Sequence, residues 1–421
     1  MRTPVAPIAA AAAFLVSTAH AIELKFAPPD FETEYAMPYL FIPPPDGRNT
    51  WWEALILFGA LSLTTWLVFK ARSRRGLFGV SVFSLLFFGF YRQGCICPVG
   101  STQNVAAAIF LPDVAVSWII VAFFVLPLLF SLFFGRVFCA SVCPLGAMQE
   151  LVAIAPIRIS PALERVLGLG KYIYLGLAIL GVATGAGFLI CRYDPFVRLY
   201  RLNDNFGMLI AAALILLIGV FIARPYCRFL CPYGVLLGWM SRFSKFHLQI
   251  PPSPCVECRL CEDSCPYNAI DMPTPRHLVE DPAQGKKRIR GLVFLAPVFI
   301  LLGALGGYMM YEPLSRMHPT VSLSERIALE DRGIITERGN LQADTFRVEG
   351  KTAAQLHAES LAIKEQFKTG GALLGAFLAL IISIKLIELS VIKKRTIFEP
   401  HKETCFSCGR CYPYCPVEEG A

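Results

Sequence analysis

Cys255-Val-Glu-Cys258-Arg-Leu-Cys261-Glu-Asp-Ser-Cys265-Pro266 reads C-x2-C-x2-C-x3-C-P. The tail repeats the pattern as Cys405-Phe-Ser-Cys408-Gly-Arg-Cys411-Tyr-Pro-Tyr-Cys415-Pro416. Three thiolates on so short a loop wrap one face of an iron–sulfur cube. The Pro after the fourth Cys lacks an N–H and fixes its own φ, directing that thiol away from the other three. In two-cluster ferredoxins the fourth Cys ligates the other cluster, so one motif implies a partner. The spacing therefore predicts two [4Fe–4S] clusters. The expected sets are Cys255, Cys258 and Cys261 with Cys415, and Cys405, Cys408 and Cys411 with Cys265. The alternative is that each motif ligates its own cluster with all four Cys. Zinc or two disulfides would be rival uses of these thiols. Zinc sites usually combine two C-x2-C pairs or mix Cys with His, and neither motif contains His.

The surrounding chain is apolar. Of 421 residues, 55% are hydrophobic and only 17% charged, a balance that places it among polytopic membrane proteins. A net charge of +8 spread over few charges reads as basic loops beside a membrane. No basic helix, zinc finger or RNA-binding signature points to nucleic acid. Fifteen Cys occur, all but Cys191 in short clusters. Thiolate ligation of a metal needs a reducing side, whereas disulfide scaffolds are small, soluble and secreted.

The expected fold is mainly α: a helix bundle of about seven spans with a two-cluster ferredoxin-like module on its inner side. Residues 1–21 read as a cleaved signal peptide, with Arg2, an Ala-rich run and Ala19-His20-Ala21. Residues 22–50 form an exported, Pro-rich strap. Spans are expected at 51–70, 77–91, 114–134, 172–190, 206–223, 291–310 and 371–391. Arg72, Arg74 and Arg75, then Lys286, Lys287, Arg288 and Arg290, then Lys393, Lys394 and Arg395 mark inner loops. The loop 191–205, with three Arg, dissents. This topology divides the chain into a membrane core at 51–250, a cytoplasmic first motif at 251–290, spans at 291–391 flanking an exported loop at 311–370, and a cytoplasmic second motif at 392–421. Within that loop, Ala353 to Phe367 has helical spacing leading into the last span. Lys385 and Glu388, near the inner end of that span, are explained by snorkelling.

A degenerate repeat lies inside the core: Cys97-Pro-Val-Gly100, Cys143-Pro-Leu-Gly146 and Cys231-Pro-Tyr-Gly234. Cys139 and Cys227 precede the last two by four residues, and Cys95 precedes the first by two. Pro belongs in the first turn of a helix, where its missing N–H costs nothing. Each copy should be a break where one helix ends and another begins. Cys139, Cys143, Cys227 and Cys231 are thus a candidate additional redox or metal site, against the plainer reading of buried structural thiols. Cys95, Cys97 and Cys191 form a candidate exported thiol site, with a disulfide as an equal reading.

Paired C-x3-C-P turns in a multispan core, followed by C-x2-C-x2-C-x3-C-P, resemble the membrane polyferredoxins of the NosR/NapH type, in particular the C-terminal membrane half of the NosR-type proteins. Gln93-Gly-Cys-Ile-Cys-Pro-Val-Gly, Cys191-Arg-Tyr-Asp-Pro-Phe, His318-Pro-Thr-Val and Glu399-Pro carry the likeness further. The resemblance implies a bacterial inner-membrane protein with a cytoplasmic C-terminus. It would carry electrons from a cytoplasmic donor or quinol toward an exported reductase of the nitrous oxide type, or toward its maturation. An assembly or redox-sensing factor for an exported metalloenzyme is the alternative. NosR-type proteins carry an exported FMN domain ahead of this core. Only about thirty exported residues precede it here and no matching attachment motif occurs, so FMN is not expected on this chain; either a separate flavoprotein subunit carries it or the flavin is dispensable.

Overall fold

The structure is a computed structural model. It describes residues 51–92, 97–111, 114, 116–201, 206–250, 255–274, 282–334, 341–348, 352–391 and 394–416. The expected leader, the strap and Cys95 lie outside these residues.

The chain is mostly helical. Its principal helices are α1 Trp51–Phe69, α2 Arg74–Ser84, α3 Pro98–Phe110, α4 Trp118–Phe134, α5 Pro144–Val152, α6 Gly170–Ala183, α7 Phe206–Phe221, α8 Pro232–Arg242, α9 Pro282–Met309 and α10 Ala353–Ser390. Among the described residues, four stretches are long and apolar enough to cross a membrane: 51–69, 161–183, 284–309 and 353–390. A bent pair ending in α7 makes a fifth if it is one span. Crossing about 30 Å of hydrocarbon takes about 20 helical residues.

Three of the expected spans are shorter or less regular than that. The segment 77–91 is α2 running into a π-helical stretch, Leu85–Tyr91. The segment 114–134 is helical only from Trp118, and α7 has 16 residues. Hydropathy registers apolar residues whether lipid or neighbouring helices surround them, so it overstates straight spans in a packed bundle. The Ala353–Phe367 helix and the last span are continuous as α10, opened by a capping box in which Thr352 and Gln355 exchange hydrogen bonds.

α9 and α10 form a tight hairpin. A Cβ on Gly307 would run into the carbonyl oxygen of Gly371, and one on Gly375 into that of Gly303. Only glycine permits this backbone approach, the usual device for close helix pairs in membranes. The apolar window of α9 is wholly unburied, so its outward side chains suit lipid.

The three Cys-Pro turns behave as their sequence implies. Pro98, Pro144 and Pro232 each open a helix with Cys97, Cys143 or Cys231 at its N-cap. They also sink into the bundle. The Tyr233 hydroxyl donates to the Phe124 carbonyl in the middle of α4, at 2.7 Å. Ser141 pairs its hydroxyl with that of Thr64, inside α1, at 2.8 Å. One hydrophobic core runs from Leu57 and Leu61 through these turns to Cys261, Phe406, Cys408 and Cys411, so the cysteine loops and the helices are packed as one body.

Candidate metal centre

The two cysteine loops meet on a two-rung antiparallel ladder. β1 Ile270–Asp271 pairs with β2 Glu399–Pro400, Ile270 facing Pro400 and Asp271 facing Glu399. The His401 N–H donates to the Ala269 carbonyl at 2.8 Å, and Arg395 bridges to Asp271 at 2.6 Å. Behind the ladder the rings of Tyr267 and Phe406 lie 4.8 Å apart.

The loops also share a backbone. Glu257 and Arg259 have φ of 52° and 63°, and Ser407 and Gly409, at the matching positions of the second motif, have 51° and 68°. Left-handed residues on both sides of the second Cys curl the chain so that successive N–H groups point inward, a nest suited to an anionic centre. Three of the four are not glycine, so local strain is held by the surrounding packing. The Ser407 N–H already points at the Cys405 sulfur, 3.4 Å away.

Each loop encloses a hollow. One, of about 350 Å³, is lined by Cys405, Cys408, Cys411 and Cys265 with Tyr267 and Phe406. The other, of about 460 Å³, is lined by Cys255, Cys258, Cys261 and Cys415 with Val256 and Phe398. Both are partly open to solvent, and these volumes include that open space. We call them the inner and outer hollows, since Cys408 and Cys411 are buried while Cys258 is exposed. Each takes three thiols from one motif and the fourth from the other. Electrostatically, Cys265 acts on Cys405 and Cys411 of the other motif, and Cys261 feels Cys255 and Cys258 of its own.

Among the described residues no three His, Cys, Asp or Glu side chains close on a single ion. The four thiols instead stand around a space, as a multinuclear cluster requires. Burial pushes the Cys405 thiol up to about 12, with Cys408 and Cys265 adding to the rise. Bare thiolates are therefore disfavoured here, and ligation and deprotonation must occur together. The donor set, its spacing and the inward N–H groups fit an iron–sulfur cluster.

A buried carboxylate anchors the inner hollow. Glu150 on α5 accepts from Arg224 Nε at 2.9 Å, Arg410 Nε at 3.0 Å, the Tyr267 hydroxyl at 2.8 Å, and Arg74. Burial alone would raise this carboxyl. The three guanidinium groups overcome it and hold Glu150 well below the usual carboxylate range. Arg74 also donates to the Cys408 carbonyl at 2.9 Å. Phe406 lies under two cations, with Arg136 4.4 Å and Arg224 5.7 Å from its ring centre. Arg136 donates to the Glu403 carbonyl at 3.2 Å. The Glu403 carboxylate, brought down to about 2 by Lys385 and Lys171 against its burial, takes Lys385 at 3.0 Å. Snorkelling is therefore not the whole account of Lys385: it ties α10 to the tail loop.

Cys139, Cys143, Cys227 and Cys231 are all buried and lie within electrostatic reach of one another. Three of their sulfurs have other partners. Gln149 donates to Cys227 at 3.3 Å, the Gly234 N–H to Cys231 at 3.3 Å, and Arg136 approaches Cys139 at 3.7 Å. Cys97 and Cys191 stand on either side of Gly100, where an added Cβ would lie 3.4 Å from the Cys191 sulfur.

Glu150, Phe406, Arg136 and Arg224 were missed from sequence. A signal existed for two of them: Arg136 and Arg224 each stand three residues before the first Cys of a C-x3-C-P turn, as Arg92 does before Cys95. The two are placed reciprocally. Arg224 lies against Gly146, in the helix after the first turn, and Arg136 against Gly234, after the second.

With this geometry in hand, comparison with known proteins is informative. A family model described as a 4Fe–4S binding domain (Fer4_5) matches residues 116–160 and 204–251, and a second 4Fe–4S model (Fer4) matches 248–271. NirI of Paracoccus denitrificans is 31% identical over 238 residues, 52% of this chain and 34% of NirI. The regulatory protein NosR of Stutzerimonas stutzeri is 28% identical over 258 residues, 53% of this chain and 34% of NosR. The methylamine utilization ferredoxin-type protein MauN of Paracoccus denitrificans is 26% identical over 155 residues, 35% of this chain and 55% of MauN. The chain thus spans a third to about half of these relatives. No solved structure matches. The 4Fe–4S models over these stretches, the relatives over the parts they share and the apolar helices together make the chain similar to NosR/NapH-type membrane proteins of the 4Fe–4S ferredoxin type.

Proposed function

We propose that this chain holds two [4Fe–4S] clusters on the cytoplasmic side of the inner membrane and passes electrons toward an exported reductase of the nitrous oxide type, or its maturation machinery. The observation that carries this reading is the crossed pair of hollows. Cys255, Cys258 and Cys261 with Cys415 would hold one cluster, and Cys405, Cys408 and Cys411 with Cys265 the other. When bound, each cluster supplies one-electron chemistry at a potential tuned by charge, hydrogen bonds and exposure. The chain's own part is to fix the thiols, present loop N–H groups to the sulfurs and seat both sites on one ladder. The exposed outer hollow suits contact with a cytoplasmic donor. The basic runs at 72–75, 286–290 and 393–395 support an inward tail by the positive-inside rule. A seven-crossing topology uses α2 with its π-helical extension, α4 and α7 as short or tilted crossings. In that arrangement 22–50 and 311–370 face outward, and 251–290 and 392–421 inward.

Iron and acid-labile sulfide analysis with anaerobic EPR tests the assignment. About eight iron and eight sulfide per chain are expected from two cubes. Cys265→Ser should alter the signal that Cys408→Ser alters, and Cys415→Ser the signal that Cys258→Ser alters. Zinc in place of iron, or Cys265→Ser tracking Cys258→Ser, would overturn it.

A further inference from the structure

The two hollows are electrostatic unequals. Beside the inner one stand Arg74, Arg136, Arg224 and Arg410. Glu150 is the carboxylate among them, and the Glu403 carboxylate is matched by Lys385. Arg224 is wholly buried and Arg136 nearly so. The cation that lines the outer hollow, Arg259, is matched on the surface by Glu262 at 3.2 Å.

Taking up an electron adds one negative charge at either site. A buried, unscreened cation nearby stabilises that charge, and solvated ion pairs do so weakly. Burial works in the opposite sense, since low dielectric disfavours added charge. With four guanidinium groups facing one carboxylate, the cations prevail at the inner site. We propose that the set Cys405, Cys408, Cys411 and Cys265 is the higher-potential member of the pair, and that Arg136, Arg224 and Arg410 make it so. This rests on the two-cluster reading above. Electrons arriving at the exposed outer site then run downhill to the inner one. Two of these arginines are carried by the Cys-x3-Cys-Pro turns, three residues ahead of Cys139 and Cys227. The turns therefore serve as positioning elements that carry charge to the tail loop. Arg410 lines the inner hollow, and Arg136 and Arg224 lie over the ring of Phe406, which lines it too.

The test is an EPR-monitored redox titration of the full chain in detergent, with iron content measured in parallel. Cys408→Ser marks the signal of the inner set. The marked signal should have the higher midpoint. Arg410→Gln and Arg136→Gln should lower that midpoint and leave the other in place, Arg136→Lys should restore most of it, and Arg259→Gln should not move it. Should Arg136→Gln fail to fold, Arg410→Gln at the rim carries the test. Unmoved midpoints, or a marked signal with the lower one, overturn this inference and leave the two-cluster reading standing. A single cluster overturns both.

Discussion

Replacing Glu150 by Gln should be among the most damaging single changes in the chain. The carboxylate holds Arg224, Arg410, Arg74 and Tyr267 together. Arg410 and Arg74 keep 22% and 32% of their side chains exposed and can turn back to water. Arg224 has no exposure at all, so the amide would leave it charged and unmatched. Breaking a buried pair by removing one partner costs about 3–5 kcal/mol, and the surviving hydrogen bonds to an amide offset little of that. The assay is denaturation of the purified protein in detergent near pH 7, followed by intrinsic fluorescence and iron release. Glu150→Asp controls for charge without reach. Glu150→Gln combined with Arg224→Met, which removes both charges, should recover most of the loss. A loss below about 1 kcal/mol for Glu150→Gln would refute the reasoning, since that is the range of an exposed pair. The pH dependence follows from the depressed carboxyl. Its contribution is fully present above the unfolded value of 4.5 and is lost as pH falls below it.

Three further outcomes are expected. His247 is held down to about 4 by burial, with Lys402 and His401 nearby, and neither ring nitrogen has a hydrogen-bond partner among the described residues. Stability should therefore fall as pH drops from 6.5 toward 4, and His247→Phe should flatten that slope in the same denaturation assay. Thr64→Val should cost about 1–3 kcal/mol, because it leaves the buried Ser141 hydroxyl without its partner. Gly375→Leu should prise α9 from α10, read as faster proteolysis of the 282–390 hairpin in detergent, while Gly285→Ala, in open space, should change nothing.

Much of the site was legible because cluster ligation writes itself into local spacing. Residues 255–266 and 405–416 each name four thiols, and the Pro after the last suggests the exchange of ligands proposed above; each hollow is lined by three Cys of one motif and the last Cys of the other. The helix starts at Pro98, Pro144 and Pro232 were equally local. The remainder depends on distance in sequence. Nothing near Glu150 announces that Arg410, 260 residues on, will fold onto it, and Phe406 reads as an ordinary loop aromatic until two cations lie over it. Span regularity is less local. The segment 77–91 has the composition of a crossing, yet π-helical packing at Leu85–Tyr91 interrupts it, and that choice is made by neighbouring helices.

The exchange of thiols between loops bears on the order of biogenesis. A ribosome that has produced the first loop has made only three of the four donors lining the outer hollow, and the missing one, Cys415, lies beyond the long glycine-packed hairpin. Neither hollow has all four of its thiols until Cys405, Cys408, Cys411 and Cys415, beyond that hairpin, have been made. Under the proposed crossed ligation, cluster loading would follow synthesis of residues 405–415, and a polypeptide truncated before them would be left without a finished site.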